Sequence, residues 1–374
     1  MRSASARRLF APSSLAALVL AGLLVGCTRE RAAQTPPRLV ASGLNGPQGV
    51  YVAGDGSVWV TDDGLGGAIT FTAVGPGGPA QGNYGDSARV VRVTPDGTQS
   101  VVTSTPSVFV PGIGPTGGGK IAVIGSSVYI GSGVWNAAFS VGRPDKVAAV
   151  LRVGESGAQE VANIFAFEAA TNPDGVAPEQ GGLDTHPYGL TAGPDGQLYV
   201  ADAGANAVFR VDPASGAVSL VASLAGLTGT GAQSVPTGVT FGNDGSLYVS
   251  LLSGGPFPSG AARVVKVSGG AASDFATGMT MLTDVERGPD GHLYAVSFGR
   301  FDASAGGNPF VANAGSVIRL KANGDKETVL SGLNYPTSIA FNPDGDAFVA
   351  ENGVGAPGSG RVMRYTGLTR YTPQ

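Results

Sequence analysis

Short apolar runs bounded by Gly, Pro, Asn and Asp recur along this chain, and their spacing predicts strands and turns with no helix. Six units share one pattern: a short apolar strand, a tight turn, an aromatic-centred strand, a variable loop, then a strand carrying a basic residue. The turns are Asp55-Gly56, Gly125-Ser126, Asp195-Gly196, Asp244-Gly245, Asp290-Gly291 and Asp344-Gly345, where Gly tolerates the positive φ of a tight hairpin. After them come Val58-Trp59-Val60, Val128-Tyr129-Ile130, Leu198-Tyr199-Val200, Leu247-Tyr248-Val249, Leu293-Tyr294-Ala295 and Ala347-Phe348-Val349. Consecutive apolar positions mean that both faces of this strand are covered, as in a sheet sandwiched between two others.

The basic positions of the third strands are Arg92, Arg152, Arg210, Lys266, Arg319 and Arg364, expected to lay their stems along the sheet and find local acceptors. Leu39-Val40-Ala41-Ser42-Gly43-Leu44-Asn45 near the start repeats Val329-Leu330-Ser331-Gly332-Leu333-Asn334 near the end. The first strand therefore belongs to the sixth unit as its outer strand. The prediction is all-β: a six-bladed β-propeller of four-stranded blades over residues 38–367, closed by its N-terminal strand, with a tail at 368–374.

With 61 Gly and 25 Pro among 374 residues, composition approaches low complexity, but the even placement of Val, Leu, Ile and Tyr argues for many turns between strands. The first segment reads differently. Arg2, Arg7 and Arg8 precede an apolar stretch from Ser14 to Val25, too short to span a membrane, and Leu24-Val25-Gly26-Cys27 follows. This resembles a bacterial lipobox, which implies cleavage of a signal peptide at 1–26 and acylation of Cys27. Residues 27–37 then form a tether closed by Pro36-Pro37. The expected location is the cell envelope, on the outer membrane or cell surface or in the periplasm, with membrane contact through the lipid alone. Thr28, where an inner-membrane retention signal would carry Asp, favours the outer positions. Acidic residues outnumber basic ones, 27 to 23, without a basic run, which argues against nucleic acid as a partner. The chain is expected to be a monomer.

Three stretches, Phe167-Glu168-Ala169-Ala170-Thr171-Asn172-Pro173-Asp174-Gly175, His186-Pro187-Tyr188-Gly189-Leu190 and Ala201-Asp202-Ala203-Gly204-Ala205-Asn206, resemble the ScyD/ScyE family, as does the loop Gly255 to Val264. Membership implies a secreted propeller related to NHL and gluconolactonase-like repeats and implies no reaction.

In a propeller the entry to each first strand and the loop between second and third strands share one rim, where function is sought. Long loops at 62–88, 131–147, 251–262 and 297–315 bring Phe71, Tyr84, Trp135, Phe139, Phe257, Phe301 and Phe310 there, as one apolar mouth or as self-packing clusters. The candidate rim residues are Asp62, Asp63, Trp135, Tyr188, Asp202, Phe257, Glu351 and Asn352.

Calcium-dependent lactonases of the gluconolactonase type resemble the repeat, and they hold their metal with acidic and amide side chains pointing down the central channel. By alignment, the corresponding positions here are Gln48, Gly119, Tyr188, Thr237, Asp284 and Thr337, a poor cage for a hard cation. The alternative is a calcium site drawn from Asp62, Asp202, Asp284 and Glu351. Zinc is disfavoured by two histidines and one cysteine. His186, beside Asp184, and Asp284 are the only catalytic candidates, and no Ser-His-Asp spacing appears. The channel positions also lack the cations and histidines that a quinone-dependent sugar dehydrogenase needs.

The sequence thus favours a module that binds a small molecule or an envelope protein and needs no cofactor. A divalent-metal-dependent lactonase or esterase is the alternative.

Overall fold

Each turn glycine folds the hairpin that the sequence predicts: Gly56, Gly125, Gly196, Gly245, Gly291 and Gly345 have φ between 59° and 85°. The computed structural model describes residues 35–75, 77–177, 182–305 and 308–370; the leader, Cys27 and the tether up to residue 34 lie outside them.

Register explains the rest of the repeat. The central aromatic of every second strand stands opposite the cation of the third: Trp59 to Arg92, Tyr129 to Arg152, Tyr199 to Arg210, Tyr248 to Lys266, Tyr294 to Arg319 and Phe348 to Arg364. Arg92, Lys266 and Arg364 lie over the facing ring at 5.5–5.9 Å. Acceptors are local: Asp55, Asp195 and Asp244 at the turns take Arg92, Arg210 and Lys266, and the phenols of Tyr199 and Tyr248 donate to the same two later carboxylates. Arg152 reaches Gln159 and Arg319 reaches Glu327, while Arg364 takes Asp346. In blades one, three, four and six the cation thus ties the aromatic strand to the turn, and in blades two and five it reaches the fourth strand instead.

Six antiparallel blades result: five are four-stranded, and in the first the strands at 47–52, 58–62, 78–93 and 99–110 are joined by two more, Ile69–Gly75 and Gly114–Thr116. Their first strands are Pro47–Val52, Gly118–Ile124, Pro187–Ala192, Pro236–Phe241, Leu282–Arg287 and Ser338–Phe341. Each packs against the first strands of both neighbouring blades, and the sixth returns to the first, so the ring is closed. The closing sheet contains Arg38–Leu44, whose Leu39, Ala41 and Leu44 pair with Met363, Val362 and Gly360. The protein is a six-bladed β-propeller whose two chain ends share a blade. Its core is interblade: Leu198, Val200 and Phe209 of blade three pack with Tyr129 and Val150 of blade two, and the other junctions repeat this.

Three features depart from the sequence expectation. The long loop at 62–88 contains a β-arm, Ile69–Gly75 paired with the start of the long strand Gly78–Val93; Phe71 and Ala73 are buried while Thr70, Thr72 and Val74 face out, a period of two, and Ile69 at the end of the arm is exposed. Where no helix was expected, Ile164–Thr171 forms one, capped by the Asn163 side chain on the Ala166 amide and ended by Asn172 in the left-handed conformation. Past residue 367, Leu368–Arg370 makes a 3₁₀ turn, with Leu368 buried in the sixth blade and the Thr369 amide donating to the Gly345 carbonyl.

Candidate functional site

The first strands decide what occupies the axis. A Pro-x-Gly pattern opens three of them, and the pairing aligns all six: Pro47 stands opposite Asp62, Gly118 opposite Ser132, Pro187 opposite Asp202, Pro236 opposite Leu251 and Leu282 opposite Ser297, while in blade six Ser338 stands opposite Ala350 as Gly49 stands opposite Thr61. The counterpart of Gln48 in blade five is therefore Thr283. Asp284, which the sequence alignment equated with Gln48, sits one residue further, at the position of Gly49, Gly189 and Gly238. A Cβ on Gly49 would lie 2.6 Å from the Gly119 carbonyl oxygen, so a side chain there is admitted only where the neighbouring backbone leaves room. Three of the Gln48-type positions are threonines with a structural task. Thr237, Thr283 and Thr337 each donate to the next blade's carbonyl, at Leu282, Pro336 and Pro47, over 2.9, 3.0 and 2.6 Å.

At the Gly49 position blade two carries Lys120 and blade five, across the ring, carries Asp284. The Lys120 ammonium donates to the carbonyls of Gln48, at 2.9 Å, and Thr337, lies 3.2 Å from Asp284 Oδ2, and sits 4.9 Å from the centre of the Tyr188 ring. Groups from blades one, two, three, five and six meet there, which places the ammonium on the axis. Asp284 Oδ2 also accepts from Ser338 Oγ at 2.9 Å and the Ile339 amide at 3.0 Å. Tyr188 donates its hydroxyl to Gln48 Oε1 at 2.7 Å, Gln48 Nε2 donates to Asp63, and Asp63 accepts the Gly117 amide. Lys120, Asp284, Tyr188, Gln48 and Asp63 are all buried. Burial lowers the Lys120 pKa against the pull of Asp284, raises Asp63 well above the usual carboxylate range, and pushes Glu286, one turn of the pleat below Asp284, up to about 7. An ammonium already fills the place where a channel-bound cation would sit, so these axial residues do not fit calcium.

The other predicted carboxylates are also committed. Asp62 is fully buried and bound by Arg89 through Nε at 2.9 Å, while accepting the Arg89 and Asn45 amides. Glu351 pairs with Arg361 at 2.7 Å and accepts the Tyr365 hydroxyl. Asp202 caps three backbone amides, of His186, Gly204 and Ala205, with Oδ1. Asn352 has φ of 64° and bonds Asn334 and the Ser359 carbonyl. Among the described residues no group of three or more His, Cys, Asp and Glu side chains stands placed to hold a metal ion, so Asp62, Asp202, Asp284 and Glu351 are not brought together.

The rim aromatics form two separate clusters. Phe71, Tyr84, Trp135 and Phe139 pack under the arm of blade one, with Trp135 at 1% exposure, and Phe257, Phe298, Phe301, Phe310 and Tyr335 pack over blades four to six. What the rim exposes is aliphatic. Of the nine large hydrophobic side chains exposed among the described residues, six, Leu65, Ile69, Val74, Ile113, Val141 and Val354, lie on rim connections of blades six, one and two.

A second buried polar region, absent from the sequence reading as a group, lies on the rim at blade three. The helix Ile164–Thr171, the short ladder pairing Trp135-Asn136 with Asp184-Thr185, and the Asp202–Asn206 turn converge there. Glu168 is fully buried with both carboxylate oxygens unpartnered; Asp202 Oδ2, Asp184 Oδ1 and the Thr185 hydroxyl are likewise unpartnered. Burial first and the neighbouring acids second raise Glu168 to about 8 and Asp184 to about 7; burial also lifts Asp202 to about 7 against its three amide bonds. His186 alongside is lowered to about 4 by burial and packs edge-on to Tyr188. Burial disfavours its charged form, and among the described residues no carboxylate bonds its ring.

No family model and no curated protein sequence matches the chain. Solved structures do. A gluconolactonase from Xanthomonas campestris shares 12% identity over 89% of this chain and 90% of its own, with a TM-score of 0.52. A putative glucose dehydrogenase from Thermus thermophilus shares 17% over 88% and 98%, TM-score 0.51. A protein of unknown function from Bacteroides thetaiotaomicron shares 15% over 88% and 72%, TM-score 0.52. At these identities the likeness is one of fold: this chain has the propeller architecture that lactonases and sugar dehydrogenases also use.

Proposed function

We propose that this chain is an exported propeller, anchored at Cys27, that binds an envelope protein or an apolar ligand through the rim of blades six, one and two, as a monomer and without a cofactor. The observation that carries the reading is the gathering of Leu65, Ile69, Val74, Ile113, Val141 and Val354 on that arc, because exposed aliphatic residues grouped on one face mark contact surfaces. Support also comes from the axis, where the Lys120 ammonium pairs with Asp284 at 3.2 Å. The lipobox-like Leu24-Val25-Gly26-Cys27 and the ScyD/ScyE-like loops agree with an envelope location.

The test has two arms. Crosslinking in cells should capture a partner with the native chain and lose it with Ile69→Lys and Val74→Lys, two exposed arm positions whose change leaves the folded blade intact. Purified protein from residue 28 onward should not turn over lactones or esters. Metal-dependent turnover would reject the binding reading in favour of a lactonase-like hydrolase.

A further inference from the structure

On the face of the ring that carries the Asp-Gly turns, away from the rim, the junctions between blades are not all alike. Blades one and five share the same turn between third and fourth strands: the Thr94 amide bonds Thr98 and Gly97 bonds Thr94, as Lys321 bonds Asp325 and Gly324 bonds Lys321. In blade five this turn rests on the outer strand of blade four, so that a Cβ on Gly324 would lie 2.3 Å from the Phe275 carbonyl oxygen. A Cβ on Gly97 would meet nothing within 4 Å. The neighbour of blade one is blade six, whose outer strand Arg38–Leu44 arrives from the start of the chain, so no turn joins it to the third strand Gly360–Tyr365. Ser42 and Gln99 close the junction further in, exchanging hydrogen bonds of 3.2 and 3.0 Å. Outside that tie it opens as a cleft of about 650 Å³, a size that takes a small organic molecule.

The walls of this cleft carry two cations in register. Arg38 stands directly opposite Arg364, and both line the cleft. The equivalent place in blade five holds an acid: Glu327 stands opposite Arg319 and binds it at 2.6 Å. Like charges directly opposite one another on a sheet repel. Arg364 is met by Asp346, with Nε at 2.9 Å, and rests over the Phe348 ring at 5.6 Å. Arg38 is exposed and forms no ion pair among the described residues. Asp55 and Asp344 also line the cleft, and each already has its own cation, Arg92 or Arg370. The Arg38 charge is therefore in excess, beside carboxylate oxygens that can accept from hydroxyl groups. Leu39, Val40 and Pro95 add carbon surface.

We propose that this cleft binds a hydroxylated organic monoanion the size of a disaccharide, an acidic sugar, with its carboxylate on Arg38 and its hydroxyls on Asp55 and Asp344. A guanidinium meets a carboxylate through two parallel N–H donors, and the bound anion supplies the counter-charge that Glu327 supplies in blade five. A neutral sugar forgoes that pairing, a bare inorganic anion forgoes the hydroxyl contacts, and a second negative charge is repelled by the two carboxylates. The cleft lies on the opposite face from the aliphatic arc and does not depend on what that arc binds.

Full-length chain in detergent is titrated by calorimetry with lactobionate, a monoanionic disaccharide acid, and in parallel with lactose and with inorganic phosphate at matched ionic strength. Lactobionate should bind with a dissociation constant below about 1 mM, and lactose and phosphate at least about tenfold more weakly. Arg38→Gln should weaken lactobionate at least about tenfold. Arg38→Glu should abolish its binding and, with no anion added, unfold about 1 °C above the native chain, because it restores an acid opposite Arg364. Lactobionate binding that is absent, or no tighter than that of lactose or phosphate, would overturn the proposal, as would native affinity in a folded Arg38→Gln or Arg38→Glu chain. Neither result bears on partner capture by the arm.

Discussion

The axis and the blade-three acid cluster both bury several ionisable side chains at the same rim, and they solve the problem in opposite ways. At the axis Lys120 is sent across the ring to Asp284, which also accepts Ser338 Oγ and the Ile339 amide, while Asp63 accepts Gln48 and the Gly117 amide. In the acid cluster Glu168, Asp184 and Asp202 stand without a counter-charge, and burial pushes their pKa values up instead. A buried ion pair brings little net stability yet is costly to break, whereas an uncompensated acid cluster is poised to take up a proton. The contrast separates a region built to be closed from one built to respond.

The largest effect should come from breaking the axis. Lys120→Met leaves Asp284 buried among Ser338 Oγ and the Ile339 amide with its charge unmatched, and should cost about 3–5 kcal/mol in chemical denaturation. A loss below about 1 kcal/mol would mean that Asp284 is already neutral or hydrated.

A smaller effect of opposite sign is expected in the acid cluster. The acids whose folded pKa values are raised to about 7 or 8 contribute stability that is full below the ordinary carboxylate range near pH 4. That contribution is lost as pH rises through 7 to 8. Unfolding temperature should therefore fall between about pH 5 and 8, and Glu168→Gln should flatten the fall and exceed the native chain at the alkaline end. A native curve that rises over this range would place the carboxylates in a compensated setting and erase the contrast with the axis.

The repeat was legible because its features are local. Turn glycine, aromatic and cation lie within one blade, and their pairing follows from a hairpin register that the sequence spacing encodes. Closure by Leu39 to Leu44 was also legible, since the segment copies Val329 to Asn334. The axis was not. Gly118-Gly119-Lys120 lacks the Pro that marks the other entries, and blade five has Leu282 where Pro is expected, so Asp284 was placed one residue out of register. Correct alignment on the Pro-x-Gly pattern would have set Lys120 and Asp284 at the same position in opposite blades.

The helix escaped notice because Phe-Ala-Phe-Glu-Ala-Ala has no polar stripe; its only strong signal is the Asn163 cap. Glu168, Asp184 and Asp202 lie in three segments that only the closed ring brings together. The rim acids Asp62 and Glu351 were found as residues but not as pairs, because Arg89 and Arg361 come from the next strand and carry no motif.

The closed axis is tested most directly by a double-mutant cycle on Lys120 and Asp284, with Lys120→Met, Asp284→Leu and both together measured by equilibrium denaturation. If the two charges meet on the axis, the double variant should be more stable than either single one, with a coupling of at least about 1.5 kcal/mol. Losses that simply add would contradict the account, since they would mean that the two side chains never see each other across the ring.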